Sequence, residues 1–221
     1  MKKAVITGAS SGLGYGIASK LTGRGVKVVN LSRNECDLEV ENVKTDLTKN
    51  SDITSAIAKL NGFHKDIDLL VLNAGVLHWR DAGKESAEEV DHDFAVNITG
   101  AIKLVNGLIE LIKKNEGDIV IIGSTGSFTA EKGSSTYCSA KHAVLGFIRA
   151  LQAEFKKEGV RIIGFHPGGF RSQLHIKAGS PLRQEDLMDA GDLADLLIHA
   201  LEAPRSLEVS EIIVNRKMKN L

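Results

Sequence analysis

Short β-branched runs alternate with longer helical segments from one end of this chain to the other, and that alternation restricts the fold more than any other feature. The strand candidates are Ala4–Thr7, Val26–Leu31, Val43–Thr45, Leu69–Asn73, Ile119–Ile122, Arg161–Phe165 and Ile212–Val214. The clearest helical stretches fill the gaps at Gly14–Arg24, Asp52–Leu60, Ala87–Lys114, Thr136–Lys157 and Gly191–Leu201. Strands separated by helices pair in parallel, because each helix carries the chain back to the start of the next strand. The expected architecture is α/β: a three-layer, doubly wound parallel sheet with helices on both faces. Two places strain the pattern. Asn, Thr and Gly at 97–100 lower helix propensity and predict a bend. Between Arg33 and Asp46 there is almost no room for a helix before the short third strand.

In open sheets of this type ligands bind beyond the carboxyl ends of the strands. The residues there are Gly8–Gly14, Ser32–Arg33, Asp46, Asn73–Gly75, Ser124 and Pro167–Gly168. Thr7-Gly8-Ala9-Ser10-Ser11-Gly12-Leu13-Gly14 links the first strand to the first helix. Glycines there let the backbone approach a pyrophosphate, and a helix N-terminus offers free N–H groups and the positive end of its dipole. The second strand ends in Leu31-Ser32-Arg33-Asn34. A carboxylate at that place would bond the ribose hydroxyls of NAD, whereas the forked guanidinium of Arg33 suits the 2′-phosphate of NADP. NADP(H) is therefore the preferred cofactor, with NAD(H) possible.

Tyr137 and Lys141 stand four residues apart within a helical stretch, in Ser-Ser-Thr-Tyr-Cys-Ser-Ala-Lys. They share a helix face, so the ammonium lies over the same surface as the phenol. A phenol with a reference pKa of about 10 needs roughly 4 kcal/mol of preferential phenolate stabilisation to ionise near neutrality. Alone, a Tyr-x-x-x-Lys in this composition arises by chance about one time in six, so the motif is weak by itself. Ser124, at the end of Asp-Ile-Val-Ile-Ile-Gly-Ser, gives it company.

Composition narrows the alternatives. Over 221 residues, enough to bury a core and expected to form one domain across 1–221, the formal net charge is zero, with both signs interspersed. Nothing electrostatic favours nucleic acid or an anionic membrane. No apolar stretch looks long enough for a membrane span, and the start Met-Lys-Lys-Ala-Val-Ile-Thr-Gly is too short for a signal-peptide core. Two cysteines, Cys36 and Cys138, make no disulfide framework, and a reducing cytoplasm is the simplest setting. The seven histidines show no His-x-x-x-His spacing, so no metal site is expected. Cys138 reads as a small buried hydrophobe.

With the glycine loop, Asn73-Ala74-Gly75, Ser124, Tyr137 and Lys141 in this order, the chain resembles the short-chain dehydrogenase/reductase family over nearly its whole length. The resemblance implies a seven-stranded Rossmann-type sheet of order 3-2-1-4-5-6-7, and hydride transfer between a nicotinamide and a small-molecule carbonyl or alcohol. It further implies that Asp46, with Leu47 after it, contacts the adenine. Asn97, in Val-Asn-Ile-Thr-Gly, resembles the family's holder of a water that links Lys141 to solvent. By the same likeness Ser124 holds the reacting oxygen, Tyr137 donates the proton, and Lys141 bonds the nicotinamide ribose.

Pro167-Gly168-Gly169-Phe170-Arg171-Ser172 resembles the segment near the nicotinamide amide, with Phe170 in place of a smaller residue and the Ser172 hydroxyl kept. Leu72 stands where many members have an Asn, and the C-terminal Ile-Ile-Val-Asn-Arg-Lys-Met-Lys lacks the usual Asp-Gly-Gly. Family members often dimerise through the helices corresponding to roughly 99–114 and 136–157, so a homodimer is expected, a tetramer being left open. The expected pocket walls are 76–83, 125–133 and 169–190, carrying His78, Trp79, Phe128, Phe170, Leu174 and His175. Arg80, Arg171 and Arg183 read as solvated loop charges. Two competing readings are a catalytically retired NADP(H) sensor on the same fold and a nucleotide-sugar epimerase. The Gly-x-x-x-Gly-x-Gly spacing and the lack of a C-terminal substrate domain weigh against the second.

Overall fold

The computed structural model describes residues 1–63 and 66–216. Seven strands form one sheet: β1 (Lys3–Thr7), β2 (Lys27–Ser32), β3 (Glu41–Lys44), β4 (Leu69–Leu72), β5 (Asp118–Ile122), β6 (Arg161–Pro167) and β7 (Glu211–Val214). Their order is β3-β2-β1-β4-β5-β6-β7, and every neighbouring pair is parallel. The order reverses between β1 and β4, which opens a crevice at their carboxyl ends.

Alternate residues of each central strand feed opposite cores. Val5, Leu70, Leu72, Ile119 and Ile121 face one layer, while Ala4, Ile6, Leu69, Val71, Val120 and Ile122 face the other. The first layer is closed by α2 (Asn50–Phe63), α4 (Gly100–Lys113) and α5 (Ser135–Phe155), through Ile53, Leu60, Leu104, Leu108, Val144 and Ile148. The second is closed by α1 (Gly12–Thr22) and α7 (Ala190–Leu201), through Leu13, Ile17, Leu21, Leu193 and Leu197. With helices on both faces, the inner strands read as continuous apolar runs rather than alternating ones.

No helix intervenes between β2 and β3. Buried Asn30 instead carries that edge: its Nδ2 donates to Asn42 Oδ1 at 2.9 Å and to the Asn34 carbonyl, while its Oδ1 accepts from Ala9 N at 3.0 Å. One side chain thus ties the short strand to the glycine loop.

The predicted bend is a π-helical insertion, Ala95–Thr99, between α3 (Ala87–Phe94) and α4. A capping box on Ser86 and Glu89 starts α3. The continuous helical run Ala87–Lys113 is, by length and composition, apolar enough to cross a membrane, contrary to the sequence expectation. Its apolar residues Leu104, Leu108 and Ile112 lie wholly inside the core against the sheet. A short helix that the sequence pattern did not predict, α6 (Gln173–Ala178), follows Ser172 and ends on Gly179 at φ 65°. Of the C-terminal segment lacking Asp-Gly-Gly, residues 217–219 lie outside the described residues.

Candidate active site

A cavity of about 390 Å³ lies at the carboxyl ends of the strands. The glycine loop forms one wall. Gly8 and Gly12 adopt φ of 72° and 58°, conformations that L side chains rarely tolerate. Gly14 is needed for another reason: a Cβ there would lie 2.3 Å from the Gly8 carbonyl oxygen and 2.4 Å from Asn73 Nδ2. That amide donates to the carbonyls of Thr7 (3.0 Å) and Gly8 (3.2 Å), fixing the loop on the end of β4. The Thr7 hydroxyl accepts from the Asn73 and Ala74 backbone N–H groups. Ser11 precedes α1 in an extended conformation, no side chain caps the helix, and its first turn carries no carboxylate. The N-terminal N–H groups and the dipole are left for an anion.

Beside the loop, Ser10 and Ser32 hydroxyls are 3.2 Å apart, and Arg33, Asp46 and Leu47 continue the wall. Burial disfavours the Asp46 carboxylate, but the Thr48 N–H and hydroxyl, with Arg33 and Lys49, outweigh it and hold the group below its ordinary pKa. Leu72 is buried in β4 and offers no polar contact there.

Tyr137 and Lys141 line the same cavity. Lys141 is 4% exposed, and its Nζ donates to the Ile122 carbonyl at 3.0 Å while sitting 5.7 Å from the centroid of the Tyr137 ring. Burial lowers its pKa to about 8. Burial also pushes the Tyr137 phenol up to about 12, against the opposing pull of its hydrogen bond from the Ser124 hydroxyl, with the nearby carboxylates Asp93 and Glu131 adding to the rise. In the free protein, therefore, the ammonium is aimed at a carbonyl and desolvation dominates the phenol. Ser124 Oγ accepts from Gly126 N at 3.0 Å, which fixes the hydroxyl at the start of a short 3-10 turn, Thr125–Ser127.

Asn97 sits inside the π segment. Its Nδ2 donates to the Val76 and Asp93 carbonyls, both at 2.9 Å, and its Oδ1 accepts from Val76 N at 3.2 Å. The amide thus clamps the chain after β4. Gly75 fits between: a Cβ on it would lie 3.2 Å from Asn97 Oδ1 and 3.9 Å from Lys141 Nζ.

Gly14, Asn97, Ser124, Pro167 and Gly168 support the cavity without lining it, whereas the other expected cofactor positions, Phe170 and Ser172 included, are on its wall. Gly168 is held by its N–H on the Val214 carbonyl. Ser172 abuts the glycine loop, where a Cβ on Gly12 would lie 3.4 Å from its Cβ, and its buried Oγ has no protein partner. Three expected pocket residues, Trp79, Phe128 and His175, are not on the cavity wall. Trp79 packs on Gly133, which has no room for a Cβ, and Phe128 stacks edge-on against buried His166 at 4.9 Å. The three loop arginines are ion-paired: Arg80 with Glu89, Arg171 with Asp189, and Arg183 with Glu185 and Asp186. Cys36 and Cys138 are both buried, Cys138 in keeping with its reading as a small buried hydrophobe. Sequence reasoning missed Lys177 and Gln173, which α6 brings to the cavity wall, and His92, whose partners are remote in sequence.

A family model described as short chain dehydrogenase matches residues 2–182. An uncharacterized oxidoreductase of Staphylococcus saprophyticus is 31% identical, with 96% of each chain covered. Among solved structures, an alcohol dehydrogenase from the archaeon Thermococcus sibiricus complexed with 5-hydroxy-NADP superposes with a TM-score of 0.89 at 23% identity, covering 100% of this chain and 99% of that one. A 3-ketoacyl-(acyl-carrier-protein) reductase from Brucella melitensis complexed with NADH gives 0.85 at 26% identity, covering 97% and 96%. The chain belongs to the short-chain dehydrogenase/reductase family. It is an NAD(P)(H)-dependent oxidoreductase acting on CH–OH and C=O groups.

Proposed function

We propose that this protein is an NADP(H)-preferring reductase that interconverts a small-molecule carbonyl and its alcohol, with Tyr137 as the general acid and base. The observation that carries this reading is that one cavity is lined by Tyr137 and Lys141 and also by an uncapped helix N-terminus and Arg33. The residues fit a dinucleotide: the Ser172 hydroxyl, without a partner among the described residues, and the carboxylate-free first turn of α1 are each accounted for by a bound phosphate-bearing ligand.

Gly8, Ser10, Ser11, Gly12 and Leu13 hold the pyrophosphate in this reading, with Ser32 and Arg33 on the 2′-phosphate. Asp46 and Leu47 take the adenine, Asn73–Gly75 the central ribose region, and Lys141 the nicotinamide ribose. Pro167, Gly168, Phe170 and Ser172 flank the carboxamide. When bound, the cofactor supplies the hydride.

This chain's residues handle the oxygen and its proton. Ser124 donates a hydrogen bond to the carbonyl oxygen as negative charge grows there, and Tyr137 delivers its proton to it. A phenol held near 12 is fully protonated at neutral pH, so the free protein is set in the form that reduction uses. In the reverse direction the phenol must ionise first, and Lys141 can assist once it is drawn from the Ile122 carbonyl. Asn97 holds the segment that borders the proton's way out. The assembly expected with this reading is a homodimer through the outer faces of α4 and α5, and the reducing compartment suits two free thiols.

The test is a cofactor-oxidation screen with NADPH and NADH across aldehydes, ketones, keto acids and quinones. Turnover faster with NADPH is expected. Tight NADPH binding with no turnover on any class would instead favour the sensor reading.

A further inference from the structure

The loop after β4 and the end of α3 bring together three side chains with no assigned role in hydride transfer: His78, His92 and Asp93. His78 Nδ1 lies 2.7 Å from Asp93 Oδ1, and the His78 and His92 rings meet edge-on at 5.6 Å. One ligand atom from each of the three falls within 4.8 Å of the others. Asp93 is 0% exposed, and both its Oδ2 and His92 Nδ1 are buried without a partner among the described residues. A hydrogen bond between His78 and Asp93 accounts for Oδ1 alone. It leaves a carboxylate oxygen and an imidazole nitrogen bare on adjacent residues of one cluster, each of which costs free energy when desolvated and unsatisfied.

We propose that His78, His92 and Asp93 form a binding site for one divalent transition-metal ion of the zinc type. A single cation between them satisfies the Asp93 Oδ2 and His92 Nδ1 atoms together. Two imidazoles and a carboxylate are a donor set that Zn²⁺ takes in sites with an open position. At metal–ligand distances of about 2.1 Å, tetrahedral ligand atoms stand roughly 3.4 Å apart. The observed spread, up to 4.8 Å, closes with small side-chain rotations. The two segments are already tied: Asn97 Nδ2 donates to the carbonyls of both Asp93 and Val76, two residues before His78. Both histidines line the main cavity, so the fourth ligand is an oxygen from that cavity, water when nothing else is bound.

The probe is the metal alone. Full-length protein stripped with a chelator and desalted is titrated with Zn²⁺ against a chromophoric competitor, and with Co²⁺ by its visible ligand-field absorption. One ion per chain is expected, with at least tenfold weaker binding in Asp93→Asn and in His78→Gln. Far-UV circular dichroism establishes that each variant is folded. A second readout needs no variant: Zn²⁺ should shift the ring-nitrogen resonances of two of the seven histidines. No saturable binding near one equivalent, unchanged affinity in folded variants, or shifts confined to other histidines would overturn the proposal. None of these readouts depends on turnover, so the site and the reductase reading can fail separately.

Discussion

Lys141 Nζ lies 5.7 Å from the centroid of the Tyr137 ring yet gives its hydrogen bond to the Ile122 carbonyl. The two groups are displaced in opposite directions by the same cause, loss of water, to about 12 for the phenol and about 8 for the ammonium. Neither is poised for alcohol oxidation until something else enters the cavity.

Ultraviolet titration of tyrosinate reads this directly. Only two tyrosines are present, and the other, Tyr15, is also raised, by its hydrogen bond to Asp37. The free protein should therefore show no tyrosinate below about pH 10, the ordinary value for the side chain. Saturating NADP⁺ should bring one phenolate in at lower pH, absent in Tyr137→Phe. Ionisation near neutrality in the free protein would contradict the account.

Arg33 is the cation on the cofactor wall after β2. A hydrogen bond to a charged group contributes about 1.5–3 kcal/mol, so Arg33→Ala should weaken NADPH binding roughly ten- to a hundredfold. NADH binding should change about twofold or less, since it has no 2′-phosphate for the guanidinium to grip. Equal losses for both cofactors, read by fluorescence titration, would remove Arg33 from that role.

Outside the cavity wall, Arg161 and Asp118 form a buried bidentate pair across β5 and β6, at 2.8 and 3.1 Å, and Arg161 also donates to the carbonyls of Leu201, the last residue of α7, and of Ala203 just past it. Asp118 keeps a second partner, Arg205 at 2.9 Å, so Arg161→Met should cost less in urea denaturation than the about 3–5 kcal/mol of a fully stranded buried charge. NADPH affinity of the folded variant should be unchanged.

Stability should fall on mild acidification. Burial holds His166 and His175 below the ordinary histidine pKa. The unfolded chain therefore binds protons first, from about pH 6.5 downward, and stability rises with pH wherever the unfolded state binds more protons. The contribution is complete above about pH 6.5 and is lost as pH falls toward the lower folded values. The depressed carboxylates Asp46, Asp68 and Asp189 act only nearer their own range, about pH 4 and below. Between about pH 6.5 and 5 the slope belongs to the histidines, and His166→Phe should flatten it. An unchanged slope would show that His166 is protonated in the folded protein.

How far these features could be read in advance depends on whether their cause is local. The strands and the glycine loop were legible because apolar runs, glycines and helix starts follow one another in sequence, whereas the strand order came from the family resemblance. The weak helix propensity at Asn97–Gly100 marked a real break, but its form, a π insertion held by Asn97 on Val76, depends on a chain segment 21 residues earlier. α6 has only six residues and is set by the cavity wall it caps, too short for periodicity to show. Trp79 and Phe128 looked like pocket aromatics, yet Gly133 and His166 offered them better-packed sites. The direction of the Tyr137 shift was not legible, since helix spacing places the lysine correctly but says nothing of the buried carbonyl that receives its hydrogen bond. His78, His92 and Asp93 escaped for a similar reason: their nearness is made by the fold, with no spacing motif to announce it.

The central claim is that Tyr137 transfers the proton. Its most direct test is single-turnover NADPH oxidation with the best carbonyl from the screen, comparing the wild-type protein with Tyr137→Phe, which keeps the ring and removes the acid. General acid catalysis contributes about 10²–10⁴-fold, so the account predicts a loss of at least about a hundredfold with NADPH affinity retained. A variant that turns over within a few-fold of wild type would contradict it.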